Sequence, residues 1–302
     1  MKIFITGGTG FVGVQLVSRF IQDGNKVTIL TRKLRRVRRT LPEISYLEGD
    51  PTEKGPWQEA IKGHDVVINL AGASIFSKWT EEQKRAIRQS RVSTTQNIVE
   101  AIPSHTERKM TLFNTSAVGY YGLHGDEELD EDSPTGTDFL ARIAVEWEGE
   151  ALKAKDKGAR VVITRFGIVM GEKGGALSQM IPVFKKYIGG PIGSGKQWFS
   201  WVHIKDLGEA FAFLLKHPEI SGPVNICSPH PIRNRDLAKA LGKVFHRPSL
   251  IPAPAFMVKL VLGEFGSVIL EGQRVIPRRL LESGFVFQYP DIEKALKDIV
   301  GR

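Results

Sequence analysis

The chain has 302 residues, 41% of them hydrophobic and 25% charged, with one cysteine and a formal net charge of +9. One cysteine excludes an internal disulfide, and no uncharged apolar run approaches the ~18 residues that a membrane-spanning helix needs. The composition is typical of a globular cytoplasmic protein without a membrane partner, although an organelle protein stripped of its transit peptide would look the same.

The positive charge is concentrated in one segment and does not predict nucleic-acid binding. Six cations fall within eight residues: Arg32, Lys33, Arg35, Arg36, Arg38 and Arg39. Without them the excess of cations over anions is small. No zinc-ligand spacing, aromatic RNA-binding motif or helix-turn-helix pattern accompanies the cluster, so nucleic acid is not an expected partner.

The first residues combine a strand, a glycine turn and a helix. Residues 2–6 form a β-branched, apolar run that predicts a buried strand, and apolar residues at helical spacing begin at Phe11. Gly7 permits a sharp turn, Gly10 lets the backbone approach a pyrophosphate at the positive end of the helix, and Gly13 lets that helix pack closely on the strand. This context predicts a dinucleotide site formed by Gly7, Thr9, Gly10, Phe11, Val12 and Gly13.

The second predicted strand, residues 26–31, ends in basic residues where NAD-preferring sites have an acid. Such sites place a carboxylate on the ribose 2′-hydroxyl about 20 residues after the glycines. Here Thr31 is followed by Arg32 and Lys33, and we expect these cations, with Arg35 as a third contact, to hold a 2′-phosphate. The predicted cofactor is therefore NADP(H). The remainder of the basic cluster is expected to be a solvated loop.

Two further apolar strands are predicted before a long amphipathic helix over residues 79–101. The third strand, residues 44–47, leads to Asp50, which is a candidate for contacting the adenine amino group or for capping the next helix. The fourth strand, residues 65–70, ends in a run that leaves space for a ligand at the carboxyl edge of a parallel sheet: Leu70, Ala71 and Gly72.

Strands and helices continue to alternate as far as the strand at residues 160–165, which predicts an α/β fold with a doubly wound parallel Rossmann sheet. Between them, Asp138 is expected to cap a helix that runs to Lys155. The acidic run at residues 126–132 is expected to be a solvated loop, because consecutive acids rarely converge on one metal ion.

Later residues predict a smaller C-terminal substrate lobe. We expect residues 1–166 to form the dinucleotide-binding domain, with residues 203–228 returning to it, and residues 167–202 and 229–302 to form the lobe. One helix in the lobe carries Phe256, Met257, Leu260 and Val261 on one face. That face is either core or the surface of a partner, for example a homodimer.

With these residues assembled, the chain resembles the extended short-chain dehydrogenase/reductase superfamily. It is similar to the atypical "epimerase family" branch, which is NAD-dependent epimerase/dehydratase-like and has a small C-terminal domain of unknown function. The resemblance rests on the glycine turn and on segments spread along the chain, which are residues 49–50, 69–72, 116–122, 139–148, 165–167, 189–195, 202–206 and 279–285.

The residues that do the superfamily's chemistry are missing. Members use a serine, a tyrosine and a lysine one helical turn after the tyrosine, with the phenolate as general acid or base. Alignment on Glu148 puts Leu140 and Ala144 at the tyrosine and lysine positions, and a shift by one residue gives Phe139 and Ile143. The usual triad is therefore absent.

A replacement proton donor must come from elsewhere, because the serine position falls on Ala117. Ser116, Tyr120 and Tyr121 stand near the sheet edge, and Tyr121 leads because its loop should end beside the nicotinamide. A free tyrosine has a pKa near ~10, and no suitably spaced lysine lowers it. His203 is the remaining candidate, although a structural role at the start of its helix fits it better.

The resemblance also implies that Arg91, where extended members have asparagine, contacts the cofactor phosphates; the alternative is an exposed helix arginine.

Two functions are consistent with these residues. The chain is either an NADP(H)-dependent oxidoreductase or epimerase-like enzyme acting on an unidentified small molecule, or a catalytically silent NADP(H) sensor or scaffold. The branch has been loosely associated with cell division.

Overall fold

A parallel sheet forms the centre of the computed structural model, which describes residues 1–34, 41–104 and 109–301. Arg35 and the other cations as far as Arg39 lie outside the described residues. Within those residues the central sheet has seven strands: β1 (Lys2–Thr6), β2 (Lys26–Thr31), β3 (Ile44–Glu48), β4 (Val66–Asn69), β5 (Thr111–Ala117), β7 (Arg160–Phe166) and β11 (Gly222–Ile226). The strands β1, β2, β3, β4 and β7 coincide, within two residues at either end, with the apolar runs predicted above.

Helices cover both faces of the sheet and build the lobe. They are α1 (Phe11–Gln22), α2 (Trp57–Ile61), α3 (Glu81–Ala101), α4 (Phe139–Leu152), α5 (Gly175–Lys185), α6 (Ile204–Lys216), α7 (Asn234–Phe245), α8 (Ala255–Leu262), α9 (Glu264–Leu270), α10 (Arg278–Glu282) and α11 (Ile292–Ile299). The carboxylate of Asp138 accepts the N–H groups of Leu140 and Ala141, so α4 begins at the expected cap and ends three residues before Lys155.

The strand order explains where a ligand can bind. Neighbouring strands follow the order β11-β7-β5-β4-β1-β2-β3, and every pairing is parallel. The chain therefore winds outward from β1 in one direction and from β4 in the other, and the crevice between these two strands is the switch point of a doubly wound sheet. The predicted Rossmann fold is confirmed.

Short strands join the later segments to one another. They are β6 (Glu128–Leu129), β8 (Ile168–Gly171), β9 (Trp198–Phe199), β10 (Trp201–His203), β12 (Ile232–Arg233) and β13 (Arg274–Val275). The pairs β8–β10 and β6–β13 are parallel, whereas β9–β12 is antiparallel. A separate apolar core, which includes Trp201, Leu241 and Leu296, fills the space between α5, α7 and α11.

The expectation of a solvated loop was wrong for Asp130 and Glu131, which are buried, whereas the other acids of the run, Asp126, Glu127, Glu128 and Asp132, are exposed. Glu131 is 5% exposed and accepts the backbone N–H of Asn225 at 2.9 Å and that of Arg279 at 3.3 Å. Asp130 pairs with Arg278 on α10. Burial raises the pKa of Glu131, against the opposing effect of these N–H donors. The acids hold the C-terminal segment on the edge of the sheet. The described residues contain no acid or histidine cluster that could bind a metal.

The apolar face of α8 is exposed. Phe256, Met257, Leu260 and Val261 are 72%, 51%, 77% and 65% exposed, and no residue of the helix is buried. A core role for this face is therefore excluded in the single chain, and a homodimer through it stays a prediction.

Within the described residues, no helix is long and apolar enough to cross a membrane.

Candidate functional site

The glycine turn after β1 has the geometry that a dinucleotide requires. Gly7 has a φ of +72°, and a Cβ there would lie 2.8 Å from the carbonyl carbon of Leu70. A Cβ on Gly13 would lie 2.4 Å from the oxygen of Gly7, so α1 starts directly against the turn. The N–H of Gly10 donates to the oxygen of Gly7 at 3.0 Å. Thr9 and Gly10 are exposed at the N-terminus of α1, where helix polarity favours an anion.

Phe11 and Val12 follow the exposed turn and are half-buried. The ring of Phe11 fits into a glycine cradle after β8, because a Cβ on Gly171 or Gly174 would come within 2.7 Å of that ring. The predicted role of Phe11 at the cofactor therefore rests on its backbone. On the outer side of the turn a groove of about 500 Å³ opens beside Gly8 and Thr9.

The end of β2 presents unpaired cations. Arg32 and Lys33 are exposed, and within the described residues neither forms an ion pair. The oxygen of Thr31 accepts the N–H of Gly49 at 3.0 Å, which fixes the end of β2 beside the loop after β3. The geometry leaves both cations free to meet a phosphate at this position.

Asp50 is engaged locally, and its predicted adenine contact stays a prediction. One carboxylate oxygen, Oδ1, accepts the backbone N–H of Thr52 at 2.9 Å and the Thr52 hydroxyl at 2.7 Å. It caps a turn and not α2, whose N-cap is Pro56. The other oxygen, Oδ2, makes no hydrogen bond within the described residues.

The loop after β4 and Arg91 form the second half of the predicted cofactor site. Leu70 and Ala71 are half-buried against Gly7, and Gly72 is exposed. The guanidinium of Arg91, on α3, lies on Gly72: a Cβ there would be 3.2 Å from its central carbon. That guanidinium donates to the oxygen of Ala73 at 3.1 Å.

Arg91 carries a positive charge that the protein does not neutralise. Its hydrogen bonds go to the carbonyl oxygens of Ala73 and Ile87, and its guanidinium lies 5.3 Å from the centre of the Trp147 ring. Within the described residues no carboxylate pairs with it. Burial without a compensating anion lowers the pKa of Arg91 to about 10. The carboxyl edge of β4 therefore carries a positive charge without a compensating anion within the described residues.

The predicted catalytic residues lie in a buried network instead. The hydroxyl of Ser116 donates to Glu148 at 2.6 Å, and Glu148 accepts two further hydrogen bonds from Arg165 at 2.9 and 2.8 Å. The hydroxyl of Tyr121 donates to Asn225 at 2.7 Å and accepts from Arg165 at 2.9 Å. All five side chains are buried. Each polar group of the network therefore has a partner within the protein.

The network does not favour proton transfer by either candidate. Burial raises the pKa of Tyr121 well above its ordinary value, although the charge of Arg165 opposes this. Burial also lowers the pKa of Arg165, but its hydrogen bonds and attraction to Glu148 outweigh burial and leave that pKa raised. A substrate could reach Tyr121 or Ser116 only by breaking this network. Their catalytic role remains a sequence prediction without geometric support.

Tyr120 and His203 are held by packing and capping contacts, although the Tyr120 hydroxyl and His203 Nε2 make no hydrogen bond within the described residues. The ring of Tyr120 is half-buried under the Arg165 guanidinium, whose central carbon lies 3.4 Å from the ring centre. His203 caps α6: its Nδ1 accepts the N–H of Lys205 at 3.2 Å, and its Nε2 lies 3.3 Å from Asp298. Burial lowers the pKa of His203 to about 4, so it is neutral at physiological pH. The structural interpretation of His203 is confirmed.

A second buried network supports the cofactor loops and was not expected from the sequence. Asn69 accepts from the hydroxyl of Thr6 at 2.7 Å and donates to Thr95 at 2.9 Å and to Asn114 at 2.8 Å. Trp147 donates to Thr95 at 2.8 Å. The network ties β1, β4, β5, α3 and α4 together directly beneath the loops. Its only signal in the sequence is polar residues at the ends of otherwise apolar strands.

Residues 3–227 match the NAD dependent epimerase/dehydratase family, and residues 253–299 match a domain of unknown function, DUF1731. The chain belongs to this epimerase/dehydratase family. The resemblance that the motifs indicated is thereby confirmed, and the second match covers α8, α9 and the helices that follow.

The similarity to relatives and to a solved structure extends along the whole chain. "Epimerase family protein SDR39U1 homolog, chloroplastic" of Arabidopsis thaliana is 40% identical and covers 99% of this chain and 87% of its own length. "Epimerase family protein YfhF" of Bacillus subtilis is 39% identical, with 99% and 98% covered. The crystal structure of human epimerase family protein SDR39U1 (isoform2) with NADPH has a TM-score of 0.88 and 32% identity, and covers 100% of both chains.

Proposed function

We propose that this protein binds NADP(H) and uses it as an oxidoreductase or epimerase-like enzyme on a small molecule, without the usual Ser-Tyr-Lys triad. The observation that carries the proposal is the uncompensated guanidinium of Arg91 on Gly72, across the switch point from the exposed N-terminus of α1. A pyrophosphate between these two groups would supply the missing negative charge.

The 2′-phosphate of NADP(H) is proposed to bind Arg32 and Lys33 at the end of β2. Both cations are exposed and unpaired within the described residues, and the same strand end in NAD-preferring sites carries an acid. The human relative that is similar over its whole length was crystallised with NADPH. A charge-assisted contact of this kind contributes about 1.5–3 kcal/mol, which is roughly tenfold or more in affinity.

A second function is supported by a different observation. The groups around Glu148 and Arg165 satisfy one another and are buried, as expected of a chain that kept the cofactor site and lost the chemistry. Such a protein would be an NADP(H) sensor or scaffold. It would bind the cofactor tightly and show no turnover, whereas an enzyme would transfer hydride to an acceptor.

Cofactor titration tests the proposal. The purified chain is titrated with NADPH and NADH, alongside Arg32→Ala and the control Arg85→Ala, which removes an exposed arginine from α3. We expect Arg32→Ala to weaken NADPH about tenfold or more and NADH much less, because only NADPH has the 2′-phosphate. Equal losses for both cofactors would overturn the phosphate assignment, and no binding by the unaltered chain would overturn the whole proposal.

A further inference from the structure

The nicotinamide end of the proposed cofactor can be located from the strand order. A dinucleotide spans the switch point, with one nucleoside on each side. If the 2′-phosphate lies at the end of β2, the adenosine is on the β2 side and the nicotinamide lies over β4, β5 and β7. This inference therefore rests on the proposed function, and it concerns the substrate that the nicotinamide meets.

The nicotinamide half of the site, over β4, β5 and β7, has apolar walls. Leu140 occupies the position aligned with the superfamily's tyrosine, and a Cβ on Gly119, in the loop after β5, would lie 3.6 Å from it. Leu140 and Ile75, which follows β4, pack on one cluster with Ile269 of α9. All three side chains remain half-buried. The place of a phenol is thus taken by aliphatic side chains from three elements.

The C-terminal segment holds this wall in place. The ring of Phe265, on α9, lies 5.5 Å from that of Trp79 and 5.8 Å from that of Phe76. Glu264 pairs with Lys84 of α3 at 2.5 Å. These contacts fix α9 across the loop after β4. An apolar ligand would find complementary contacts here, whereas a polyhydroxylated one would leave its hydroxyl groups unpaired.

The wall itself offers a substrate no proton, and the Tyr120 hydroxyl, which makes no hydrogen bond within the described residues, belongs to a ring packed under Arg165. Ser116 and Tyr121 are buried and hydrogen-bonded, and within the described residues no other side chain of the wall is an acid. Hydride addition to an ordinary ketone produces an alkoxide, which is about as basic as hydroxide and needs a donor. Hydride addition to a quinone produces a phenolate, whose conjugate acid has a pKa near ~10. Only the phenolate is stable enough to form without a proton donor from the protein and to take its proton from water afterwards.

We propose that the substrate is a flat, conjugated hydride acceptor of the quinone class. The hydride and its two electrons leave C4 of the reduced nicotinamide, which becomes NADP⁺, and form one new bond to the quinone. The quinone is reduced to the hydroquinone monoanion, and water supplies the one proton that completes the hydroquinone, leaving hydroxide. Leu140, Ile75 and Ile269 hold the ring against the nicotinamide and take no part in proton transfer.

Two acceptors of the same ring size test this proposal. The purified full-length chain, with NADPH at saturating concentration, receives a fully substituted benzoquinone without an isoprenoid tail, or cyclohexanone. NADPH loss is followed by absorbance and corrected for the reaction without protein. We expect stoichiometric oxidation of NADPH by the benzoquinone at a rate that does not change with pH across the neutral range, and none by cyclohexanone. Absence of quinone turnover in a chain that binds NADPH overturns this inference alone.

Variants locate the reaction at the wall. Leu140→Gln places an amide in the wall and should lower quinone turnover about tenfold or more, because the amide is left unpaired against the ring, while NADPH binds as before. Ile269→Gln repeats the test from α9 if the first variant does not fold. Val286→Gln, at a residue that is 80% exposed, is the control and should change neither quantity. Full quinone turnover in both wall variants, or reduction of cyclohexanone at a similar rate, overturns the assignment. Failure to bind NADPH at all would instead overturn the proposed function.

Discussion

Two halves of one sheet edge differ in how their polar groups are paired. Around the ends of β1, β2 and β4 the charged groups lack partners within the described residues: Arg32 is exposed and Arg91 has no carboxylate. On the β5 side Glu148, Arg165 and Tyr121 satisfy one another and are buried. An unpaired charge that is partly buried, such as that of Arg91, is kept at a cost to stability and indicates a ligand, whereas a fully paired group indicates a structural role. Mutations should therefore affect binding in the first half and stability in the second.

The largest effect is expected from Glu148→Gln. The change removes the anion opposite Arg165 and leaves a buried guanidinium unpaired, so the free energy of unfolding should fall by about 3–5 kcal/mol. Denaturant unfolding measures this loss, and NADPH affinity measured well below the transition should stay the same. Glu146→Gln on the same helix removes the exposed pair with Arg88 and should cost less than about 1 kcal/mol. Equal losses in the two variants would contradict the comparison.

Gly13→Ala should affect binding and stability together. A methyl group 2.4 Å from the oxygen of Gly7 forces α1 away from the turn, and overpacking of this kind costs about 1–3 kcal/mol. Because the turn also positions the N–H groups for the pyrophosphate, NADPH binding should fall by about two orders of magnitude or more. Gly149→Ala, whose new methyl group meets nothing within 4 Å, should bind normally and be slightly more stable. Normal NADPH binding by Gly13→Ala would show that the cofactor lies elsewhere.

Arg91→Met should change NADPH affinity without lowering stability. Removing a cation that receives no anion from the protein should leave stability unchanged or raise it by about 1 kcal/mol, since the charge is no longer desolvated. NADPH affinity should fall by about 10–100-fold, because the phosphates lose a charge-assisted contact. Isothermal titration and thermal unfolding of the apoprotein give both values. Arg88→Met is the matched control on α3. A parallel fall in stability and affinity would make Arg91 a structural residue.

The sequence predicted the first half of the edge far better than the second. Gly7, Gly10 and Gly13 act within one local turn, so their spacing contains the geometry. The pairs that Glu148 makes with Ser116 and Arg165 join residues from a helix and two strands. Such long-range pairs have no local pattern, and the burial of Asp130 and Glu131 was not predicted for the same reason. Strands such as β1, β4 and β7 were predictable because buried parallel strands are continuous apolar runs.

Tyr121→Phe should have the smallest effect, and it tests whether the buried network around Arg165 has a catalytic role. The hydroxyl joins Asn225 and Arg165, so its loss should lower the free energy of unfolding by about 1–2 kcal/mol. Tyr120→Phe is the control: no hydrogen bond to its hydroxyl is present within the described residues, and stability should change by less than about 0.5 kcal/mol. Where an acceptor oxidises bound NADPH, neither variant should slow it, because hydride transfer at this edge draws no proton from the buried network. If Tyr121→Phe folds with the expected small loss of stability but slows turnover while Tyr120→Phe does not, the hydroxyl must reach the substrate. The network would then open during catalysis, and its complete pairing would describe only the resting protein.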